Sequence, residues 1–298
     1  MVYIMPLRIL ELGKQFRPAT SHVYPPFKNG RYLEEYCYEI LLSRKDSIET
    51  NVVYIPIFWT NLQNHSGFSV MKSKYQILLS HALKLFPADT QFMTIVQHDD
   101  GPQLQLPNNT MIFGSCTGTI PLPLIYEDTT ERLLLEPRCP KTQLASFVGT
   151  TTTHPIRQEL LEKLGEKPDV VWNGKKVWEV AVQKQDADLF MKETLQSYFC
   201  LAPRGYGRSS FRFFEAMLLD TVPVYVWDDI EWLPYKDVLD YSTFAVSISK
   251  KDLPMLYDIL SSISNKTYEK MVENIKKNRH WFQLEGMIEY IIQRLLTV

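Results

Sequence analysis

A chain of 298 residues, 45% hydrophobic, can bury two modest cores, and its length favours two domains. The formal net charge of −2 argues against a broad nucleic-acid footprint. No apolar run is long enough to span a bilayer, and the patch within Met1 to Glu11 is too short and too soon broken by charge for a signal peptide. Four scattered cysteines, Cys37, Cys116, Cys139 and Cys200, lack paired spacing. They predict reduced thiols in a cytoplasmic chain, without a zinc site or a disulfide frame.

In chain order, helical periodicity is expected over Tyr32 to Ser43, a buried strand over Asn51 to Phe58, a helix over Met71 to Phe86 and a strand over Phe92 to Val96. The last ends at His98-Asp99-Asp100-Gly101, the polar carboxyl end where open α/β sheets place ligands. Met111 to Ile125 reads as a further strand with loops, and Glu131 to Thr142, with Pro137 and Pro140, as a linker. A second α/β unit then opens with a strand over Leu144 to Val148, a Thr-rich loop and a helix over Pro155 to Leu164. A short strand ending near Trp172 and a helix over Asp188 to Ser197 follow, and Leu253 to Leu296 is mostly helical.

Residues 198–226 concentrate the chemistry. An apolar strand, Tyr198 to Ala202, leads into the loop Pro203 to Arg208, which carries Arg204, Gly205, Tyr206 and Arg208. Ser209 or Ser210 can cap a helix whose apolar face runs Phe211, Phe214, Met217 and Leu218. Free backbone N–H groups, guanidinium forks and a helix N-terminus make a receptor for phosphate oxygens. Arg212 and Glu215, three apart, share a helix face. Alone they would be an ordinary surface pair. Between that loop and the buried strand Val222 to Val226, they point to a nucleotide site, with Glu215 able to accept hydrogen bonds from sugar hydroxyls.

The segment resembles the sugar-nucleotide signature of the exostosin-like glycosyltransferases, family 47. The likeness rests on Phe199-Cys200-Leu201, Pro203-Arg204-Gly205, Ser210-Phe211-Arg212, Glu215-Ala216 and Pro223-Val224, and it continues through Leu233-Pro234-Tyr235 and Leu239-Asp240 to Val246. Weaker matches upstream are Tyr24-Pro25-Pro26, Tyr32 to Tyr36, Val53 to Phe58, His98 to Gly101, and Ala145 to Gly149 followed by Arg157. Asp220 departs from the family's glycine, yet Asp tolerates the left-handed conformation such a helix end needs.

The resemblance implies a glycosyltransferase B fold, α/β with two Rossmann-like domains facing a cleft, here 1–140 on the acceptor side and 141–298 holding the nucleotide. The last helix is expected to pack back on the first domain. Implied function is inverting transfer from a UDP-sugar, UDP-xylose or UDP-glucuronate, to a glycan hydroxyl, by a soluble member of the viral or bacterial type. A non-catalytic nucleotide- or glycan-binding module is the alternative. A P-loop kinase or hydrolase is disfavoured because no Gly-x-x-x-x-Gly-Lys-Ser/Thr run exists.

Arg204 and Arg208 lead as phosphate ligands, then Arg212 and Arg157, with the Gly149-Thr150 loop, Gly205, Tyr206, Ser209 and Ser210 contributing. Glu215 is assigned to the ribose. No cofactor or divalent metal is expected; Asp186-Ala187-Asp188 reads as a helix-start cap. The base that deprotonates the acceptor is expected at Asp99, with Asp100 and His98 beside it, unless Asp99-Asp100-Gly101 merely fixes an Asx turn. Glu34, Glu35 and His65 are held in reserve.

Overall fold

A computed structural model describes residues 5–19, 31–128, 131–179 and 182–297; the Tyr24-Pro25-Pro26 match lies outside them. The first half carries β1 (Arg8–Ile9), α1 (Leu33–Arg44), β2 (Val53–Tyr54), α2 (Trp59–Asn64), α3 (Phe68–Leu83), β3 (Phe92–Val96), β4 (Thr110–Gly114) and β5 (Ile120–Pro121). Its strands form one parallel sheet in the order β1-β2-β3-β4-β5, each new strand added beside the last. The strand expected over Asn51 to Phe58 is buried as predicted but pairs only briefly. Pro56 brings no N–H, and the Ile57 N–H turns back to the Ile55 carbonyl.

The second half carries α4 (Arg132–Leu135), β6 (Gln143–Thr150), α5 (Pro155–Leu164), β7 (Val170–Lys175), α6 (Lys184–Gln196), β8 (Ser197–Pro203), α7 (Phe211–Leu218), β9 (Val222–Trp227), β10 (Val246–Ser249), α8 (Leu256–Ser262), α9 (Asn265–Asn278) and α10 (Leu284–Leu296). Its strand order is β10-β9-β8-β6-β7, all parallel. From β6 the chain steps outward to β7, then returns across β6 to lay down β8, β9 and β10. The crossovers after β6 and after β8 therefore leave on opposite sides, and a crevice opens between the carboxyl ends of these two strands. In open α/β sheets this switch point is where ligands bind. The two parallel sheets form the glycosyltransferase B architecture.

Two local details shape the site's frame. Asp220 ends α7 at φ +56°, the left-handed conformation anticipated for it. There its carboxylate accepts from Arg138 Nε at 3.0 Å and from Arg279, so charge pairing holds the turn where glycine's freedom would otherwise serve. At the far end of the chain, the α10 carbonyl of Leu295 accepts from Thr50 Oγ1 of the first half at 2.7 Å. Met287, Ile291 and Leu295 share one apolar cluster with Leu33, Cys37 and Leu41 of α1.

Candidate active site

The Arg157 guanidinium closes the switch point. Its α5 begins after His154, whose ring accepts from the Ile156 N–H, with Pro155 in the first turn, so Arg157 emerges beside the ends of β6 and β8. Arg157 donates to the carbonyls of Thr150 (2.7 Å), Arg204 (3.0 Å) and Pro203 (3.2 Å), and lies over the Phe147 ring. Among the described residues no carboxylate lies within ion-pair distance of it. Burial, reinforced by the Arg212 charge, lowers its pKa to about 10. A buried cation without a counter-charge at a ligand crevice is set to receive an anion.

Arg212 and Glu215 stand in the first two turns of α7, behind Ser210 at the helix N-cap. Arg212 donates from Nε to the Val148 carbonyl (3.2 Å), lies 4.1 Å from the Phe190 ring centroid and pairs with Glu215 Oε2. Glu215 Oε1 accepts from the Tyr126 hydroxyl at 2.5 Å. A carboxylate offers about four lone-pair sites, so both oxygens retain capacity for further donors. Tyr126 has no signal in the sequence: it lies in an apolar run whose contacts depend on the halves meeting. Burial, then the Glu215 charge, pushes its hydroxyl pKa well up.

Arg204 and Arg208 are placed differently from the sequence expectation. Arg204 bonds Asp228 and Asp229, each at 2.8 Å, and Arg208 bonds Asp229 at 2.7 Å. Neither lines the cleft cavity. Strands β8 and β9 are parallel neighbours with Pro203 opposite Val226, so the loops beyond them abut and these charges meet. These ion pairs tie the loop to the residues that follow β9. Gly205, Tyr206, Ser209 and Ser210 line the cavity, as do Gly149, Thr150, Arg157, Arg212 and Glu215.

The opposite wall comes from the end of β3. The turn from His98 to Gly101 is closed by the Gly101 N–H on the His98 carbonyl (3.0 Å) and by the Asp100 N–H on His98 Nδ1 (3.2 Å), with Gly101 at φ +70°. An Asx bond from Asp99 is not what fixes it. The Asp99 carboxylate instead reaches across to the signature loop: a Cβ on Gly207 would sit 2.2 Å from Asp99 Oδ1 and 2.6 Å from Cys116 Sγ. Asp99 is exposed at the cleft, while the protein around it still partly desolvates its carboxylate. That desolvation raises its pKa, while a hydrogen bond from Cys116 partly offsets the rise. Burial lowers the pKa of His98. Asp100 accepts from the Tyr206 hydroxyl at 3.0 Å, a second bridge between the halves.

The reserve candidates are held by local hydrogen bonds, while the buried Glu34 Oε2 has no hydrogen-bond partner among the described residues. Glu34 is fully buried, accepting from the Thr60 hydroxyl (2.7 Å), the Thr60 N–H (3.2 Å) and the Gln97 N–H (2.9 Å). Glu35 caps α1 through the Tyr32 N–H, and His65 is an exposed loop residue accepting from the Gly67 N–H. Asp186 is bound by Lys175 at 2.7 Å, and Asp188 by Lys184 at 2.6 Å with Arg132 at 3.9 Å. The two carboxylates thus serve different cations.

Both walls enclose a cavity of about 1070 Å³, lined from the first half by Tyr32, Thr60, Asn64 and Asp99 and from the second by the switch-point residues. This is room for a nucleotide sugar with part of an acceptor. Trp178, 55% exposed, and Lys175 also line it and were not singled out by sequence. The indoles of Trp59 and Trp232 are buried, and Trp172 stacks on Phe147 with centroids 4.1 Å apart.

Comparison with known proteins agrees with this geometry. The chain is 34% identical over 141 residues, 47% of its length and 28% of the relative's, to a probable glycosyltransferase of Arabidopsis thaliana. It is 35% identical over 74 residues, 25% of its length, to a probable beta-1,4-xylosyltransferase of the same plant, covering 18% of that protein. To a probable glucuronosyltransferase of Oryza sativa subsp. japonica it is 28% identical over 130 residues, 40% of its length and 28% of the relative's. The chain thus matches less than a third of the length of these relatives. They are plant proteins and lend no support to the expected viral or bacterial grouping. Solved structures aligned to it include WaaG, a glycosyltransferase involved in lipopolysaccharide biosynthesis, with TM-score 0.36 and 14% identity over 93% of this chain and 85% of that one. TarM aligns with TM-score 0.42 and 9% identity over 91% and 59%. The exostosin GT47 domain matches residues 107–263, more than half of the chain and all of the switch-point crevice, and the chain belongs to that family.

Proposed function

We propose that this chain transfers a sugar from a UDP-sugar to a hydroxyl of a glycan acceptor, with inversion at the anomeric carbon. What carries the proposal is geometric: Arg157, with no carboxylate partner among the described residues, stands at the switch point, and Asp99 stands on the facing wall of the same cavity. The diphosphate is taken by Arg157, Arg212 and the N–H groups at the start of α7, which also stabilise the charge developing on the leaving oxygen. Glu215, oriented by Tyr126, receives the ribose hydroxyls. Asp99 takes the acceptor proton as the acceptor oxygen bonds to the anomeric carbon and the bond to the β-phosphate oxygen breaks. Its raised pKa makes it a better base than an ordinary aspartate.

We assign no metal to the reaction. The Asp-x-Asp sequence that could hold one is engaged by Lys175 and Lys184, and the cations at the crevice supply the neutralisation. Xylose and glucuronate donors are both represented among the names of the relatives. The test is a panel of UDP-sugars with the purified chain in EDTA, following UDP release with and without oligosaccharide acceptors. Release from one donor in EDTA supports the proposal. Release only after manganese is added overturns the metal-free assignment, and UDP binding without turnover favours a binding module of the same fold.

A further inference from the structure

Resting on the UDP-sugar assignment above, we infer that the sugar carried into this cleft is uncharged, a pentose or neutral hexose and not a uronate. A uronate carboxylate enclosed in a cleft needs a cation of its own, beyond those that receive the diphosphate. Among the described residues, the cations lining the cavity are Arg132, Arg157, Lys175 and Arg212, and the carboxylates lining it are Asp99, Glu179, Asp186 and Glu215. The two sets balance.

Each cation is accounted for. Lys175 lies 2.7 Å from Asp186 and 3.3 Å from Glu179, Arg212 is paired with Glu215, and Arg132 stands 3.9 Å from Asp188. Arg157, which has no carboxylate partner, is directed at the crevice between β6 and β8, where the diphosphate belongs. A diphosphate already takes the cleft past neutrality, and a third negative charge would meet no unpaired cation among the described residues. Near the reacting carbon it would also face Asp99. The other polar groups on the walls include Thr60, Asn64, Thr152, Thr153 and Asn173, neutral hydroxyls and amides suited to sugar hydroxyls, and the His98 imidazole, whose pKa burial lowers.

UDP-glucose and UDP-glucuronate differ only at C6, a hydroxymethyl against a carboxylate, and so isolate the charge. Calorimetric titration of the chain in EDTA with both, and with UDP, reads it directly. We expect UDP-glucuronate to bind at least about tenfold more weakly than UDP-glucose. Asp186→Asn together with Glu179→Gln, which removes both carboxylate partners of Lys175, should narrow that ratio. Equal or tighter binding of UDP-glucuronate by the unaltered chain overturns the inference while leaving the nucleotide site standing. An unchanged ratio in the variant overturns the charge balance as its reason. Absence of UDP binding removes the nucleotide site and the inference with it.

Discussion

The two sheets are built from the same kind of strand, yet only the second has a topological switch point. In the first, each strand is added beside the last, so no crevice opens at its carboxyl edge. In the second, the return of the chain across β6 opens one, and Arg157 closes its floor with three backbone carbonyls. The first half instead contributes the turn from His98 to Gly101, pressed against the signature loop, with Tyr32, Thr60, Asn64 and Tyr126 beside it. Strand order, more than composition, separates the half with a switch point from the half without one.

The largest effect should come from the acceptor side. Asp99→Asn is expected to lower kcat by about 10³-fold, within the range for general bases, with UDP affinity unchanged. Full activity would end the assignment, and lost UDP affinity would break the division between halves. On the donor side, Arg157→Ala should weaken UDP binding about 100-fold, the loss of a buried charged partner, measured by titration. Gly207→Ala tests the contact between them. Its added methyl meets Asp99 and Cys116, so the walls must separate, and we expect a drop of about tenfold in kcat/KM with UDP affinity nearly kept. Of similar size, Glu215→Ala should weaken donor binding about tenfold, and smaller still, Tyr126→Phe about threefold, one of the hydrogen bonds to that carboxylate being lost. Donor affinity unchanged in Glu215→Ala would count against the ribose assignment.

A pH profile sharpens the same division. Asp99 must be ionised to accept a proton, and its pKa is raised by desolvation. Activity should therefore rise with pH through a value above the ordinary aspartate range, and that acidic limb should vanish from any residual rate of Asp99→Asn. UDP binding should lack the limb.

Most of the fold was legible where periodicity and apolar runs are strong. The strand Phe92 to Val96 and the helix Pro155 to Leu164 fall where expected, because an unbroken apolar run and a Pro-led start leave little choice. The short β2 was less so, because Pro56 ends the ladder inside a continuous apolar stretch. At the site, spacing along α7 sufficed for the Arg212–Glu215 pair. It could not weigh Arg157 against Arg204, because their partners arrive through pairing between strands. The fate of Arg204 was within reach: once β8 and β9 are paired in parallel, Asp228 and Asp229 must come up beside it. Tyr126 was not, since its partner lies across the junction of the two halves.

The bond from Thr50 to the Leu295 carbonyl gives the molecule a mechanical property. The chain passes from the first half to the second through the segment between β5 and β6, and α10 ties back to the first half a second time. Two bodies joined at one point swivel freely, but joined at two points they turn only about the line between them. The halves are thus tied both by the chain between β5 and β6 and by α10, which limits the ways one can turn against the other.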